Sequence, residues 1–381
     1  MVKKKAMIGF AVLLALILSA CSTNSRTEST NEAQSSATSE AGAPALTGEE
    51  KVKQTMDQMT LEEKVGQLFL VRVPAENQLE DIQTYHLGGY LLFDRDMEDE
   101  TRESLQQKIA GYQAASNYPM LIASDEEGGL VSRLSRNKLV DPPFASPQTL
   151  YQENGWQGIT DDINRKAEVF HELGIQAGMA PDADVSTDPE SFIYDRTIGM
   201  DAAGTSEYVT RSVDAMKQAK IGSTLKHFPG YGNNRDSHVE IVTDDRSMDE
   251  LRGNDFLPFQ AGIAAGADSI MVSHNIVNAI DPERPASISP KVHEVIRQEL
   301  GFDGIVMTDD MDMAGLAAFT SQEEAGLQAL QAGNDLILSS SYSTQIPYIL
   351  QAIQEGKYTE DQLNQSVERV LKWKAELGLF K

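Results

Sequence analysis

The chain has 381 residues and a formal charge of −26, and hydrophobic residues make up 40% of it. This length allows one large domain or two ordinary ones. The strong negative charge argues against binding to nucleic acid and against electrostatic attraction to anionic lipid. Because the one cysteine is Cys21, a disulfide framework and a thiolate metal site are both excluded.

Residues 1–20 have the pattern of a secretory signal peptide. Lysines 3–5 form a basic start, and the apolar run 8–18 is shorter than a membrane span of about 20 residues. The run ends in Leu18-Ser19-Ala20-Cys21, which resembles a bacterial lipobox. We therefore expect Cys21 to be lipidated and to anchor an extracytoplasmic protein, in an envelope whose type stays open. The alternative is an ordinary signal peptide with an incidental cysteine.

Residues 21–50 are rich in Ser, Thr, Asn and Glu. They offer too little apolar surface to offset the entropy of ordering, so we predict a disordered tether. A single folded domain is expected over 51–381. Its first signal is the spacing of Thr60 and Glu63, which is that of a capping box and predicts a helix start.

Short apolar runs then alternate with longer amphipathic segments. Helices are predicted at segments such as 206–220 and 249–265, with a closing helix at 359–377. This alternation indicates parallel βαβ units, and a count of eight strands favours a closed (β/α)8 TIM-type barrel over an open doubly wound sheet. The predicted strands are 67–73, 89–93, 119–124, 176–180, 222–227, 268–273, 304–308 and 335–339.

Polar clusters follow many of these strands, and in a barrel the carboxyl ends of the strands carry the catalytic groups. His227 and His274 stand at predicted strand ends, and His238 lies in the loop after the fifth strand. We therefore expect one site at this end of the barrel. The clusters are Asp94-Arg95-Asp96, Asp125-Glu126-Glu127, Pro181-Asp182, Lys226-His227, Ser273-His274 and Asp309-Asp310.

One specific motif is the string 226–232, Lys-His-Phe-Pro-Gly-Tyr-Gly, followed by Asp236-Ser237-His238. Lys226 and His227 are expected to project into the mouth, where both can donate hydrogen bonds to a substrate. The carboxylate of Asp236 is close enough in sequence to orient the imidazole of His238, which can exchange a proton near neutral pH. The alternative is a surface loop with a chance histidine.

A second motif covers 301–311, in which an apolar run aims Asp309 at the same mouth. A carboxylate there can attack an anomeric carbon, which is the usual route to a covalent glycosyl-enzyme. The pair Asp309-Asp310 can alternatively bind a metal or cap the following helix.

Together these strings resemble glycoside hydrolase family 3, in particular its bacterial β-N-acetylglucosaminidase branch. They run in family order from 59 to 315, so the resemblance rests on several motifs. The matching strings are MTLEEKVGQ at 59–67, GGYLLF at 88–93, SDEEGG at 124–129, APDADV at 180–185, KHFPGYG at 226–232 with DSH at 236–238, and TDDMDM at 308–313.

The resemblance implies a role for each matching residue. Asp309 matches the family nucleophile, His238 the branch's general acid/base, and Asp236 its partner in a dyad. Asp125 matches the carboxylate that binds outer hydroxyls of the non-reducing sugar. The other substrate-binding positions that the resemblance implies are Lys226, His227, Arg133, Arg196 and the apolar Met313.

The implied activity is that of a retaining exo-β-N-acetylglucosaminidase, a monomer acting on terminal β-linked N-acetylhexosamine in wall-derived muropeptides or related glycans. A histidine acid leaves phosphate open as an acceptor in place of water. The family's common Gly-His-Gly is here Gly230-Tyr231-Gly232, and its frequent Arg after Gly-Gly is Leu130. Both departures can alter a substrate subsite and leave the sugar less secure than the reaction class.

Two alternatives stay open. One is a β-glucosidase or β-xylosidase on the same barrel, and the other is a non-catalytic lipoprotein that binds sugars. We expect no cofactor and no metal, because the Gly-rich stretches lack the GxGxxG context and no cluster has standard metal-ligand spacing.

Overall fold

A computed structural model describes residues 47–232, 242–313, 316 and 319–380. The expected signal peptide, Cys21 and the pair Asp236 and His238 lie outside the described residues. In chain order, the helices within these ranges are α1 (Gly48–Gln58), α2 (Leu61–Gln67), α3 (Gln78–Tyr85), α4 (Asp94–Met97), α5 (Arg102–Ala115), α6 (Arg133–Arg136), α7 (Pro147–Leu173), α8 (Ala202–Ala219), α9 (Met248–Glu250), α10 (Phe256–Ala265), α11 (Pro290–Glu294), α12 (Gln322–Ala332), α13 (Tyr342–Gln354) and α14 (Glu360–Glu376).

The strands are short, and most belong to one of two parallel sheets. The strands are β1 (Phe69–Arg72), β2 (Gly89–Leu92), β3 (Leu121–Ser124), β4 (Glu126–Gly128), β5 (Val131–Ser132), β6 (Thr224–Phe228), β7 (Thr243–Asp244), β8 (Ser269–Val272), β9 (Ile276–Val277), β10 (Ile305–Thr308) and β11 (Ile337–Leu338). The larger sheet has the order β11-β1-β2-β3 and the smaller one β10-β8-β6, while β4 and β5 form an antiparallel hairpin and β7 pairs with β9.

The two parallel sheets are connected by single bridges. Ala177 bridges to Ala123 at β3 and to Gly222 just before β6, and Met307 of β10 bridges to Leu336 just before β11. The hydrogen-bonded ladders themselves therefore form two sheets, where the sequence predicted one closed ring of eight strands.

The predicted strand 176–180 accounts for the break between β3 and β6, since it is present only as the bridging residue Ala177. Two residues further on, Met179 has a φ of 45°, which is incompatible with extended backbone. Pro181 then has no N–H to donate to a ladder. The other seven predicted strands are present as β1, β2, β3, β6, β8, β10 and β11.

The helix predictions agree with the structure in type and differ at the ends. The capping box at Thr60 is confirmed, with backbone N–H groups donating to the side chains of Glu63 and Thr60 over 2.8 and 3.2 Å. The predicted closing helix is α14. Helix α1 begins at Gly48, inside the range expected to be a tether, because Thr47 caps it. The predicted helix 249–265 is α9, a π-helical turn and α10 in succession.

The strands make up the centre of the core. All residues of β2, β3, β6, β8, β10 and β11 are buried, as is typical of parallel strands covered by helices. Because the strands are parallel, the polar residues at the carboxyl ends of β3, β6 and β10 meet at one edge. Among the described residues, no helix combines the length and apolar character needed to cross a membrane.

Candidate active site

A buried lysine lies at the centre of the polar cluster. Lys226 projects from β6, and its Nζ lies 2.6 Å from Oε1 of Glu127 and 3.2 Å from Oδ1 of Asp125. The side chain of Lys226 is 2% exposed and that of Glu127 is 1% exposed, whereas that of Asp125 is 18% exposed. Asp125 is therefore the member of this group that a substrate can reach.

Neighbouring positive charges keep Asp125 and Glu127 ionised, although Glu127 is buried and Asp125 is only partly exposed. Burial raises the pKa of Asp125, but the positive charges of Lys226 and Arg133 outweigh it and hold that pKa below its ordinary value. Burial also raises the pKa of Glu127, and Arg196 and Lys226 bring it far below the ordinary value. In return, the two carboxylates hold the pKa of Lys226 above its ordinary value against the effect of burial. Asp125 is thus available as a hydrogen-bond acceptor.

Arg196 connects this group to the neighbouring histidine. Its Nε and Nη2 donate to the two oxygens of Glu127 over 3.0 and 2.7 Å. Nη2 also lies 3.2 Å from Nε2 of His227. Since a guanidinium has no acceptor, Nε2 of His227 accepts this bond.

The other ring nitrogen of His227 faces a carboxylate. Nδ1 lies 2.7 Å from Oδ2 of Asp184, and Nδ1 carries the proton because Nε2 is an acceptor. Burial, followed by the positive charge of Arg196, lowers the pKa of His227 to about 4. His227 is therefore neutral at pH 7, and both of its nitrogens are engaged by the protein. The expectation that it donates to a substrate does not match this arrangement.

Asp309 directly follows β10 and is 7% exposed. Its Oδ1 accepts the backbone N–H of Asp310 over 2.8 Å. His274 holds the next peptide, since its Nε2 lies 2.9 Å from the carbonyl oxygen of Asp310 and its Nδ1 2.7 Å from Oγ of Ser287. Strands β10 and β6 both pair with β8, which brings Asp309 and His227 to the same edge of this sheet. The negative charge of Asp309 accordingly opposes the lowering of the His227 pKa. Met313 follows on the same segment and is buried.

The acid beside Asp309 has a different environment. Arg72, at the end of β1, forms an ion pair with Asp310. Burial raises the pKa of Asp310 to about 6 although Arg72 opposes the shift. The sequence alternative in which both acids bind a metal is not needed to explain these contacts.

Arg133 borders Asp125 on its open side. Its Nη2 donates to Asp125 and its Nη1 to Asp94, each over 3.1 Å. The guanidinium also lies 5.0 Å from the centre of the Phe93 ring, which Arg72 faces at 4.7 Å. The site therefore has an arginine-rich rim on this side.

Arg246 connects the described residues on either side of segment 233–241, which contains Asp236 and His238. Arg246 donates to the carbonyl oxygen of Gly230 over 2.7 Å and to both oxygens of Asp244. A further bond of 2.7 Å joins it to Asp255. Asp236 and His238 themselves lie outside the described residues.

Sequence reasoning gave Glu127 and Asp184 no individual role in the site, although Glu127 belongs to one of the predicted polar clusters. A signal for Glu127 was present, because side chains alternate along extended backbone and Asp125 and Glu127 are two apart. The intervening Glu126 points elsewhere and accepts from Ser124 and Ser132. The pairing of Asp184 with His227 had no local signal, since 43 residues separate them.

Asp182, Asp184 and His227 form a cluster of side chains of the types that bind metal ions. Ligand atoms of Asp182, Asp184 and His227 lie within 4.8 Å of one another. The protonated Nδ1 of His227 and both oxygens of Asp184 are already used in hydrogen bonds. Burial and the charge of Asp184 raise the pKa of Asp182 well above its ordinary value. Hydrogen bonds within the protein therefore already engage Asp184 and His227, two of the three members of this cluster.

Comparison with known proteins places this site in a family. Residues 60–373 match the model of the glycosyl hydrolase family 3 N-terminal domain. A β-hexosaminidase of Stenotrophomonas maltophilia is 34% identical over 262 residues, which are 66% of this chain and 76% of that protein.

Solved structures agree with this assignment. A family 3 β-N-acetylglucosaminidase from a Paenibacillus species superposes with a TM-score of 0.79 at 28% identity, covering 85% of this chain. The match spans 64% of the Paenibacillus chain. A β-N-acetylhexosaminidase from Beutenbergia cavernae gives a TM-score of 0.70 at 25% identity, over 82% of this chain and 98% of its own. The chain therefore belongs to glycosyl hydrolase family 3 and has that family's α/β fold.

Proposed function

We propose that this protein is a retaining exo-β-N-acetylglucosaminidase that releases terminal β-linked N-acetylhexosamine. The observation that carries the proposal is the placement of Asp309 at the end of β10, at the same edge as the ion-pair network of Asp125, Glu127, Lys226 and Arg196. The β-hexosaminidase and β-N-acetylglucosaminidase relatives support the choice of sugar.

Asp125 is suited to bind the outer hydroxyls of the terminal sugar. It is an ionised acceptor, and two cations fix its oxygens at 3.2 and 3.1 Å. The partly exposed Arg133 lies beside it as a donor. Carboxylate and guanidinium groups next to each other bind a hydroxyl that both donates and accepts. Lys226 and Arg196 act here by orienting the carboxylates.

The reaction proceeds in two steps. One oxygen of Asp309 attacks the anomeric carbon, the bond to the leaving oxygen breaks, and His238 gives its proton to that oxygen. Water then attacks the same carbon and loses a proton to His238, which frees the carboxylate of Asp309. Asp236 orients the imidazole in both steps. These assignments for His238 and Asp236 rest on the sequence motif.

The first test compares hydrolysis of p-nitrophenyl β-N-acetylglucosaminide with that of the β-glucoside, with and without inorganic phosphate. We expect turnover of the first compound and little of the second, and loss of turnover in Asp309→Ala. Preference for the glucoside would assign a β-glucosidase instead. Activity on neither compound would favour a sugar-binding protein, and a sugar phosphate as product would make phosphate the acceptor.

We further propose that the two parallel sheets belong to one closed (β/α)8 ring. The single bridges at Ala177, Gly222 and Leu336 support this, because they lie where the missing ladders would run. Slow amide hydrogen exchange at Gln176 and Gly222, whose N–H groups donate to Ile122 and Gln176, is the expected result. Exchange as fast as in an exposed loop would contradict it.

We also propose that residues 1–20 are removed, that Cys21 is lipidated, and that the residues between Cys21 and helix α1 tether a monomeric catalytic domain outside the cytoplasm, where it acts on wall muropeptides. The lipobox-like string supports this anchor. Membrane fractionation should show the wild type in the membrane fraction and Cys21→Ala released from it. Equal partition of both forms would contradict the anchor, and light scattering tests the monomer.

A further inference from the structure

Asp184 is fully buried and collects three backbone and side-chain N–H groups. Its Oδ2 accepts from Nδ1 of His227 over 2.7 Å and from the backbone N–H of His227 over 3.2 Å. Its Oδ1 accepts from the backbone N–H of Tyr231 over 2.6 Å. Such a carboxylate is an acceptor on both oxygens and fixes both the ring and the backbone of its neighbour.

We propose that Asp184 is a positioning residue that holds His227 as its neutral Nδ1–H tautomer and thereby orients Arg196 at the sugar site. The kinetic part of this proposal rests on the proposed function. Its structural part concerns which nitrogen of His227 carries the proton.

The tautomer matters because Arg196 can only donate. Nη2 of Arg196 lies 3.2 Å from Nε2 of His227, so this bond requires a lone pair on Nε2. The other nitrogen, Nδ1, must carry a proton, because it donates to the carboxylate of Asp184. The proton that Asp184 holds on Nδ1 of His227 therefore leaves Nε2 with the lone pair that Arg196 needs as an acceptor.

Arg196 also contacts the residues that orient Asp125, the carboxylate that faces the substrate. Its Nε and Nη2 also donate to the two oxygens of Glu127, which lies 2.6 Å from Lys226. Lys226 in turn contacts Asp125. A change of His227 therefore displaces the charges that fix the orientation of Asp125.

The variant Asp184→Asn removes the negative charge and replaces one acceptor oxygen by an amide donor, while the size of the side chain stays nearly the same. An asparagine of the same shape has one accepting oxygen and one donating amide, whereas the site presents donors to both positions. An amide that faces Nδ1 favours the Nε2–H tautomer of His227, and this N–H meets the donors of Arg196. Removing such a partner in catalytic sites is known to change the tautomer of a histidine.

The experiment uses ¹⁵N-histidine-labelled protein without substrate. The resonances of His227 are assigned by their absence in His227→Gln. We expect a protonated Nδ1 and an accepting Nε2 at pH 7 in the wild type, and loss of the Nδ1–H form in Asp184→Asn. We also expect kcat/KM to fall on the order of 10²-fold, mainly through KM, as for misplaced binding groups.

Asp281→Asn is the matched control, because Asp281 is also buried and accepts from Ser289 and from a backbone N–H. It should leave the tautomer and the kinetics unchanged. A wild-type His227 protonated at Nε2, or an Asp184→Asn protein with wild-type tautomer and kinetics, would overturn the proposal.

Arg196→Met keeps the proposal testable if Asp184→Asn does not fold. With Asp184 in place, His227 should retain Nδ1–H after loss of the guanidinium. A switch to Nε2–H in this variant would show that Arg196 sets the tautomer, which overturns the proposal. Because the tautomer is read without substrate, an error in the assigned sugar would affect only the kinetic result.

Discussion

Glu127 and Arg196 lie 69 residues apart in the chain and are joined by two hydrogen bonds, of 2.7 and 3.0 Å, between the two carboxylate oxygens and two guanidinium nitrogens. The side chain of Glu127 is 1% exposed and that of Arg196 is 17% exposed. A planar guanidinium matches a carboxylate in this two-bond geometry and an ammonium does not. The pair therefore fixes the direction of Arg196.

Arg196→Lys should weaken this arrangement while it keeps the charge. We expect KM to rise about tenfold, which corresponds to about 1.4 kcal/mol, and the free energy of unfolding to fall by about 1–3 kcal/mol. Steady-state kinetics and urea titration measure the two effects. Arg211→Lys is the control, since its pair with Glu207 is exposed and should change stability by less than about 0.5 kcal/mol. Unchanged KM and stability in Arg196→Lys would contradict the prediction.

Asp309→Ala should abolish the glycosyl-enzyme and leave the fold intact. We expect kcat to fall on the order of 10⁴-fold or more, as for loss of a nucleophile. Mass spectrometry of rapidly quenched reactions should show a sugar adduct on the wild type and none on the variant. Asp303→Ala, at the exposed opposite end of the same strand, should behave as wild type. An adduct that persists in Asp309→Ala would place the nucleophile elsewhere.

His238→Ala should slow turnover according to the leaving group. A good leaving group needs little protonation, so the first step with an activated aryl glycoside should change least, whereas an alkyl glycoside or a natural disaccharide should be hydrolysed far more slowly. Rates of the first step for leaving groups of graded acidity provide the measurement. An equal loss for all leaving groups would exclude His238 as the acid.

Glu126 makes the free energy of unfolding depend on pH. Burial raises its pKa from 4.5 to about 7, although it accepts bonds from Ser132, Ser124 and Leu134. The folded state therefore binds more protons than the unfolded state between pH 4.5 and 7. Its contribution to stability is fully present below pH 4.5 and is lost as the pH rises through 7.

Glu126→Gln mimics the protonated acid and should remove this loss. The hydroxyl of Ser132 can turn to accept from the new amide. Relative to wild type, the variant should therefore gain about 3 kcal/mol in unfolding free energy between pH 4.5 and 8, measured by urea titration at both values. Glu207→Gln, at an exposed position, should show less than about 0.5 kcal/mol of change. A pH-independent difference for Glu126→Gln would contradict the shift.

Lys374 on α14 donates hydrogen bonds to residues that lie just before β1, β2 and β3. Its Nζ donates to Oε1 of Gln67 and to the carbonyl oxygens of Gly88 and Pro119 over 2.7 to 2.8 Å. Lys374→Met leaves these buried acceptors unsatisfied and should cost about 2–4 kcal/mol of unfolding free energy. Lys372→Met, on the exposed face of the same helix, should cost less than about 0.5 kcal/mol. Equal stability of the two variants would show that the three bonds contribute nothing.

The sequence alone identified most elements because their signals are local. Seven of the strands are apolar runs between amphipathic segments, and the capping box at Thr60 needs only four residues. The predicted strand at 176–180 is reduced to the single bridging residue Ala177, because Met179 takes up a left-handed backbone. Nothing in the apolar pattern around Met179 encodes that conformation.

Site residues divide in the same way. Asp125, Lys226 and Asp309 follow or occupy predicted strands, and parallel strands must bring their carboxyl ends to one edge. The hydrogen-bond partners of His227 could not be predicted in this way. A histidine at a strand end has two nitrogens, and their roles depend on groups 31 and 43 residues away.

By itself, the sequence determined the strand ends that carry the chemistry, because periodicity and motif spacing are properties of short stretches. Its motifs also carried the resemblance to the family, which implied the reaction class. Only the tertiary structure decided the charge states and proton positions, which place Asp125 as an ionised acceptor and His227 as a neutral link. The physical reason is that burial and opposite charge shift a pKa through groups that are close in space and distant in the chain.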